Sequence, residues 1–303
     1  MFLAIEIGGT KLQMALGQGN GRIDALWREK VDPSQGGEGI RRQIAQGWLA
    51  LLAEHQLRKI DLLGAGIGFG GPVDMMKGET ITSHQIAGWD HFPLKSWLAE
   101  QLGCRVSLGN DADVAGLGEA MHGAGRGADP VFYVTVGSGI GGGHIVGGKI
   151  ARGAGKGAAE IGHLRLGPDG DVLEHHASGW GIQNQFQAAL KRGESSRLSG
   201  QPHVGVPEIA QAAAAGDATA ARVLHGSIRD LAWGLCQVIA LICPQRIVVG
   251  GGVSLLGDAA FFQPLKTEVD ALVFKPFRGL TEIVPAALGE EVVLHGALEL
   301  ARA

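Results

Sequence analysis

The chain has 303 residues, room for two domains and a sizeable core, and its formal net charge of −4 excludes the basic footprint of a nucleic-acid binder. Its three cysteines, Cys104, Cys236 and Cys243, form no C-x-x-C pair; this excludes a disulfide framework and fits buried, inert thiols in a reducing cytosol. No basic segment precedes a cleavage site, and the longest apolar stretch, Leu231–Cys243, carries Gln237 and is too short to span a bilayer, so a cytoplasmic protein with no membrane partner is expected.

In chain order, Phe2–Ile7 and Leu12–Leu16 read as two strands joined by the tight turn Gly8-Gly9-Thr10-Lys11, a β-hairpin. Ile40, Ile44, Trp48 and Leu51 recur at helical spacing and predict an amphipathic helix over about 39–55. A strand at 63–69 ends in Gly70-Gly71-Pro72, a helix follows at 95–102, and a short strand at 105–108 delivers Asn110-Asp111 to a helix at 112–122. The pattern then repeats. A β-rich run, Val131–Val136, meets Gly137-Ser138-Gly139 and a partner strand at 143–146. A long helix over 219–243 stops before Pro244, a strand at 246–249 closes on Gly250-Gly251-Gly252, and the last segment, 292–301, is helical.

Two halves that each open on a hairpin with a hydroxyl among glycines predict a duplicated α/β unit around a cleft. The expected domains are 1–112 with 291–303, and 113–290. Trp48, Trp97, Trp180 and Trp233 lie in helical patterns and read as packing residues, His225 and His295 as structural or surface residues, and Ala212–Ala215 before Gly216-Asp217 as a helix and its end.

Glycine is abundant, 51 residues, and its clusters follow apolar runs, where backbone must turn sharply or approach a ligand closely. The tips Gly8-Gly9-Thr10-Lys11 and Gly137-Ser138-Gly139-Ile140-Gly141 are candidate phosphate clamps, although a hairpin turn also demands glycine; neither is a G-x-x-x-x-G-K-[ST] loop. Asn110-Asp111 reads as a helix N-cap, yet a cap needs one such residue, and a carboxylate at a strand's C-terminal end is well placed to take a proton from a hydroxyl. Glu160-Ile161-Gly162-His163 and Glu174-His175 offer the hydrogen-bonding set a sugar needs, or simply a solvated loop.

Taken together, these motifs resemble the ROK family of sugar kinases and repressors, within the actin and hexokinase-like superfamily. The resemblance runs through Glu6-Ile7-Gly8-Gly9-Thr10-Lys11, Gly66-x-Gly68-x-x-Gly71-Pro72-Val73-Asp74, Asn110-Asp111-Ala112-Asp113 and Thr135 to Gly143. It continues through Glu160-Ile161-Gly162-His163, Glu174-x-x-x-Ser178-Gly179 and Ile247 to Ser254. It implies duplicated actin-like ATPase (ribonuclease H-like) domains flanking a cleft, and an ATP-dependent kinase for the 6-hydroxyl of a hexose, with glucose as the first candidate. On that resemblance Asp111 is the catalytic base, and Asn110, Glu160, His163, Glu174, Gly71 and Gln85 are sugar-binding positions. Gly8, Gly9, Thr10, Lys11, Gly137, Ser138 and Gly139 are the phosphate loops, and Gly250, Gly251 and Gly252 lie beside the adenosine. Mg²⁺ is the implied counter-ion, and the implied assembly is a homodimer or homotetramer.

The sequence departs from the family pattern in three places. Glu6 replaces the Asp that opens the first loop; its longer carboxylate still reaches a metal-bound water. Gln85 stands where many relatives carry Asn near the sugar. The family's C-x-C-G-x-x-G-C zinc cluster after the histidine is missing: Leu164 to Leu173 contains no cysteine, so no structural zinc is expected, with Asp169, Asp171, His175 and His176 as the residues that would have to rebuild one. A sugar-responsive regulator is a second reading, although the first loop begins at Glu6 and leaves no room ahead of it for a helix-turn-helix. A non-catalytic sugar-binding relative is a third.

Overall fold

The computed structural model describes residues 1–83, 85–154, 157–168 and 170–302. The chain forms two compact units: 1–127 with 143–158 and 287–303, and 128–142 with 159–286.

The first unit is built on a five-stranded sheet. In chain order its elements are β1 (Phe2–Ile7), β2 (Lys11–Gly17), β3 (Ile23–Lys30), α1 (Gly36–Glu54), β4 (Gly64–Phe69), the small hairpin β5 (Val73–Asp74) and β6 (Glu79–Thr80), α2 (Leu94–Leu102), β7 (Val106–Asn110) and α3 (Asp111–His122). Sheet order is β3-β2-β1-β4-β7, with β1 antiparallel to β2 and parallel to β4, and β4 parallel to β7. One face carries the core, where Leu3, Ile5, Ile7, Ile67 and Phe69 pack with Ile40, Ile44 and Trp48 from α1 and Leu94 and Leu98 from α2. β4 reads glycine at every second position, which clears one face for a helix. A Cβ on Gly66 would fall 2.0 Å from the Ala297 carbonyl oxygen, and one on Gly68 2.3 Å from Val293 Cγ1.

The rest of the chain repeats the plan with β8 (Val131–Val136), β9 (Ile140–Val146), β10 (Lys149–Ile150), α4 (Glu174–Ala177), α5 (Gly179–Lys191), α6 (Val206–Ala214), α7 (Ala218–Ile242), β11 (Arg246–Gly250), α8 (Gln263–Leu272) and β12 (Glu282–Pro285). The order of this second sheet is β10-β9-β8-β11-β12, the first sheet's order position for position. β11 runs parallel to both β8 and β12, and β9 antiparallel to β10. The outer part of β9 and all of β10 belong with the first unit. α7 starts where the Asp217 side chain accepts from Ala220 N–H, and it ends at Cys243, whose left-handed backbone (φ 46°) precedes Pro244. α9 (Val292–Arg302) closes the chain and packs on the first unit's sheet, crossing α3 where Gly118 and Gly296 meet.

Two sequence expectations change. The second strand of the second hairpin starts at Ile140, so Gly141 to Gly143 lie inside it. Trp180, expected to pack, is 58 % exposed at the start of α5.

Candidate functional site

In the first unit the hairpin register fixes the site. Ile7 pairs with Leu12, so Glu6 faces Gln13 across the strands, and Gln13 in turn faces Arg28. The side chains follow: Gln13 Nε2 donates to Glu6 Oε2 at 2.7 Å, and Arg28 Nε donates to Gln13 Oε1 at 2.6 Å. Arg28 also pairs with Glu291 at 2.8 Å, and Lys11 Nζ lies 4.0 Å from Glu6 and 3.8 Å from Glu290. Burial pushes the Glu6 carboxyl up to about 7 and the Asp111 charge adds to that, against the pull of Lys11, Gln13 and Arg28. Gln13, Arg28, Glu290 and Glu291 were not among the expected site residues. The hairpin register alone would have revealed Gln13.

The tip itself is drawn tight: Gly8 N–H donates to Lys11 O and Gly70 N–H to Ile7 O. Gly9 has no Cβ because one would fall 1.5 Å from Gln85 Oε1, so the Gln85 side chain lies directly on the first loop. Thr10 is exposed and Lys11 half-buried.

Asn110 ends β7 and caps α3. Its Oδ1 accepts from Ala112 N–H at 2.9 Å, and its Nδ2 donates to Gly71 O at 3.0 Å. The cap reading was therefore correct for Asn110, and the amide also ties the helix start to the Gly70-Gly71 turn. Asp111 Oδ1 accepts from Ala112 N–H, and a Cβ built on Gly70 would sit 3.5 Å from Asp111 Oδ2 and 3.6 Å from Gly8 Cα. The carboxylate, the first glycine tip and the second glycine turn thus share one corner of the unit.

In the second unit, Gly137 N–H donates to Gly139 O, and the loop's carbonyls accept from the start of α5: Gly179 N–H to Gly137 O at 2.7 Å and Trp180 N–H to Ser138 O at 3.4 Å. Ile140 N–H donates to Glu174 Oε2 at 2.7 Å. Ser138 is exposed, and a Cβ on Gly137 or Gly252 would meet open space to about 4 Å. Gly251 takes a left-handed φ of 85°, and a Cβ there would fall 2.5 Å from the Val136 carbonyl carbon, so the Gly250–Gly252 turn abuts the end of β8. Glu160 and His163, both exposed, flank a short 3-10 turn whose Gly162 lies against the Ile140 carbonyl.

The site residues thus fall into two groups, Glu6, Gly8 to Lys11, Gly71, Gln85, Asn110 and Asp111 in one unit, and Gly137 to Gly139, Glu160, His163, Glu174 and Gly250 to Gly252 in the other. The residues named for a rebuilt zinc site diverge: His175 Nδ1 meets Asp171 at 2.8 Å and His176 Nδ1 meets Asp230 at 3.3 Å, while Asp169 lies outside the described residues. Among the described residues no three His, Cys, Asp or Glu side chains group as a metal site, and no helix is long and apolar enough to cross a membrane.

The ROK family profile matches residues 2–303. The chain belongs to the ROK family. A glucokinase from Halalkalibacterium halodurans is 32 % identical to this ROK protein, over 97 % of this chain and 93 % of that protein. The ROK hexokinase structure from Thermus thermophilus superposes with a TM-score of 0.85 at 28 % identity, covering 99 % of this chain and 97 % of that one. The ROK glucokinase from Streptomyces griseus, solved with glucose and AMPPNP, gives 0.79 at 31 % identity over 99 % of both chains. The architecture is the ROK sugar-kinase fold of the actin-like ATPase superfamily.

Proposed function

We propose that this ROK protein is an ATP-dependent hexose kinase of the glucokinase type, transferring the γ-phosphoryl group of ATP to the 6-hydroxyl of a hexose, glucose first. The observation that carries this reading is the corner where the Asp111 carboxylate lies beside Gly70 and the first glycine tip. A carboxylate beside a glycine-rich tip is the arrangement that phosphoryl transfer to an alcohol requires.

In this mechanism Asp111 accepts the proton of the sugar's 6-hydroxyl as that oxygen bonds to the γ-phosphorus, and the bond to the ADP oxygen breaks. The reaction needs little covalent help from the protein and much alignment. Gly8 to Lys11 and Gly137 to Gly139 hold the phosphates, Lys11 supplies fixed positive charge, and Gly250 to Gly252 flank the adenosine. Asn110, Gly71, Gln85, Glu160, His163 and Glu174 exchange hydrogen bonds with the sugar hydroxyls.

A magnesium ion keeps several waters and takes only one or two carboxylates besides the nucleotide's phosphates. Glu6 fits that role through a bound water: one of its oxygens is held by Gln13, and the other lies 4.0 Å from Lys11 Nζ. When bound, the ion neutralises charge on the transferring phosphates. The proposal extends to a cytoplasmic enzyme that acts on small molecules and assembles as a homodimer or homotetramer.

A coupled ADP-release assay over glucose, mannose, fructose, allose and N-acetylated hexosamines tests the reading. Turnover is expected with at least one sugar. Asp111→Ala should cut kcat by about a thousandfold or more while calorimetry still detects sugar binding. No turnover with any sugar would overturn it.

A further inference from the structure

We propose that Glu174 is a positioning residue of the second phosphate loop, in addition to the sugar contact that the family resemblance implies. The inference rests on the kinase reading and deepens it.

Four observations in the second unit converge on this residue. Glu174 Oε2 accepts from the Ile140 backbone N–H at 2.7 Å, the first amide after the loop. Gly139 has no Cβ because one would fall 2.5 Å from the same oxygen and 3.2 Å from Glu174 Cδ, so the carboxylate fills the space under the loop. α4 is anchored by Leu173 and Ala177, both buried, which fixes the stem of the side chain. The segment that follows grips the loop's other side: Gly179 N–H donates to Gly137 O and Trp180 N–H to Ser138 O. The run from Glu174 to Trp180 is thus one cradle, with the loop's carbonyls held by the start of α5 and the first amide after the loop by a carboxylate.

The two oxygens of Glu174 have different duties. Oε2 holds the loop, and Oε1 makes no hydrogen bond among the described residues, so it is the one offered to a sugar hydroxyl. One side chain would then touch the sugar with one oxygen and set the nucleotide loop with the other. A carboxylate accepting from a backbone amide is among the stronger hydrogen bonds in a protein.

Calorimetric titration of AMPPNP without sugar tests this, since a residue serving the sugar alone would not move that readout. Glu174→Ala should weaken AMPPNP about tenfold, the equivalent of one hydrogen bond to a charged group. Glu174→Gln, whose amide oxygen still accepts from Ile140 N–H, should stay within about threefold of wild type, because geometry is kept while charge is lost. Gly139→Ala leaves Glu174 in place but pushes its carboxylate off the loop, and should reproduce the Glu174→Ala loss even if that variant fails to fold. Wild-type AMPPNP affinity in a folded Glu174→Ala, or in Gly139→Ala, overturns the inference alone. A wild-type chain that binds no AMPPNP overturns the kinase reading with it.

Discussion

Gly9 and Gly139 do not take a positive φ, so a left-handed backbone is not what calls for glycine at either. Each makes room for a polar side chain, Gln85 over the first loop and Glu174 under the second. His295, read from the sequence as a structural or surface residue, carries a pH consequence. Burial first, and then the charge of His122 with its ring centroid 6.4 Å away, hold its imidazole below the ordinary 6.5, against weaker upward pulls from Gly21, Glu291 and Glu119. The unfolded chain therefore takes up a proton near 6.5 that the folded protein accepts only at lower pH. Stability is full above 6.5 and is lost as the pH falls below it. Urea midpoints measured at about pH 7.5 and about pH 5.5 should differ in wild type, and the difference should shrink in His295→Asn.

At the scale of elements, α3 and α9 cross at two glycines, where backbone meets backbone. A Cβ on Gly296 would fall 1.7 Å from the Val114 carbonyl oxygen, and one on Gly118 2.6 Å from the Val292 carbonyl oxygen. Backbone cannot yield as a flexible side chain does. Gly296→Ala is therefore expected to cost about 3 kcal/mol or more, read as a lowered urea midpoint. This crossing was invisible in the sequence, because it joins residues far apart in the chain. The elements themselves were legible where periodicity was clean: the first hairpin, α1, β4, α3, β8, α7 and α9 all lie where apolar spacing and glycine stops put them. β3 was missed because its Ile23–Lys30 run carries Asp24, Arg28, Glu29 and Lys30 and buries Ala25 alone, the profile of a solvated edge strand. Missing β3 also hid Arg28, the far end of the row behind Glu6. β12 is four residues long and ends in proline, too short for a periodic signal. The site's acids and loops stood out because they interrupt apolar runs. The grip of Glu174 on Ile140 did not, because it spans 34 residues and depends on where α4 is seated.

Across the whole molecule, the chain passes between its two units four times, and two of those passages are set by one buried side chain of the first unit. Glu119, fully buried, accepts from Ala124 N–H at 2.7 Å just before one passage, and from Ala287 and Leu288 N–H at 2.9 Å each just after another. Glu119→Ala would leave three amides without their acceptor and should cost about 3 kcal/mol or more. Glu119→Gln should recover part of that loss in the same urea titration, since its oxygen can still serve one side. The matching strand order of the two sheets explains how one sequence pattern, read twice, arrived at two halves of one plan. Trp180 stands apart from this duplicated frame. Of the six tryptophans it alone is exposed, and its own amide is bonded to Ser138. A collisional quencher such as acrylamide will therefore reach that indole before the others, so the red side of the protein's intrinsic emission is a built-in optical gauge of the second glycine loop.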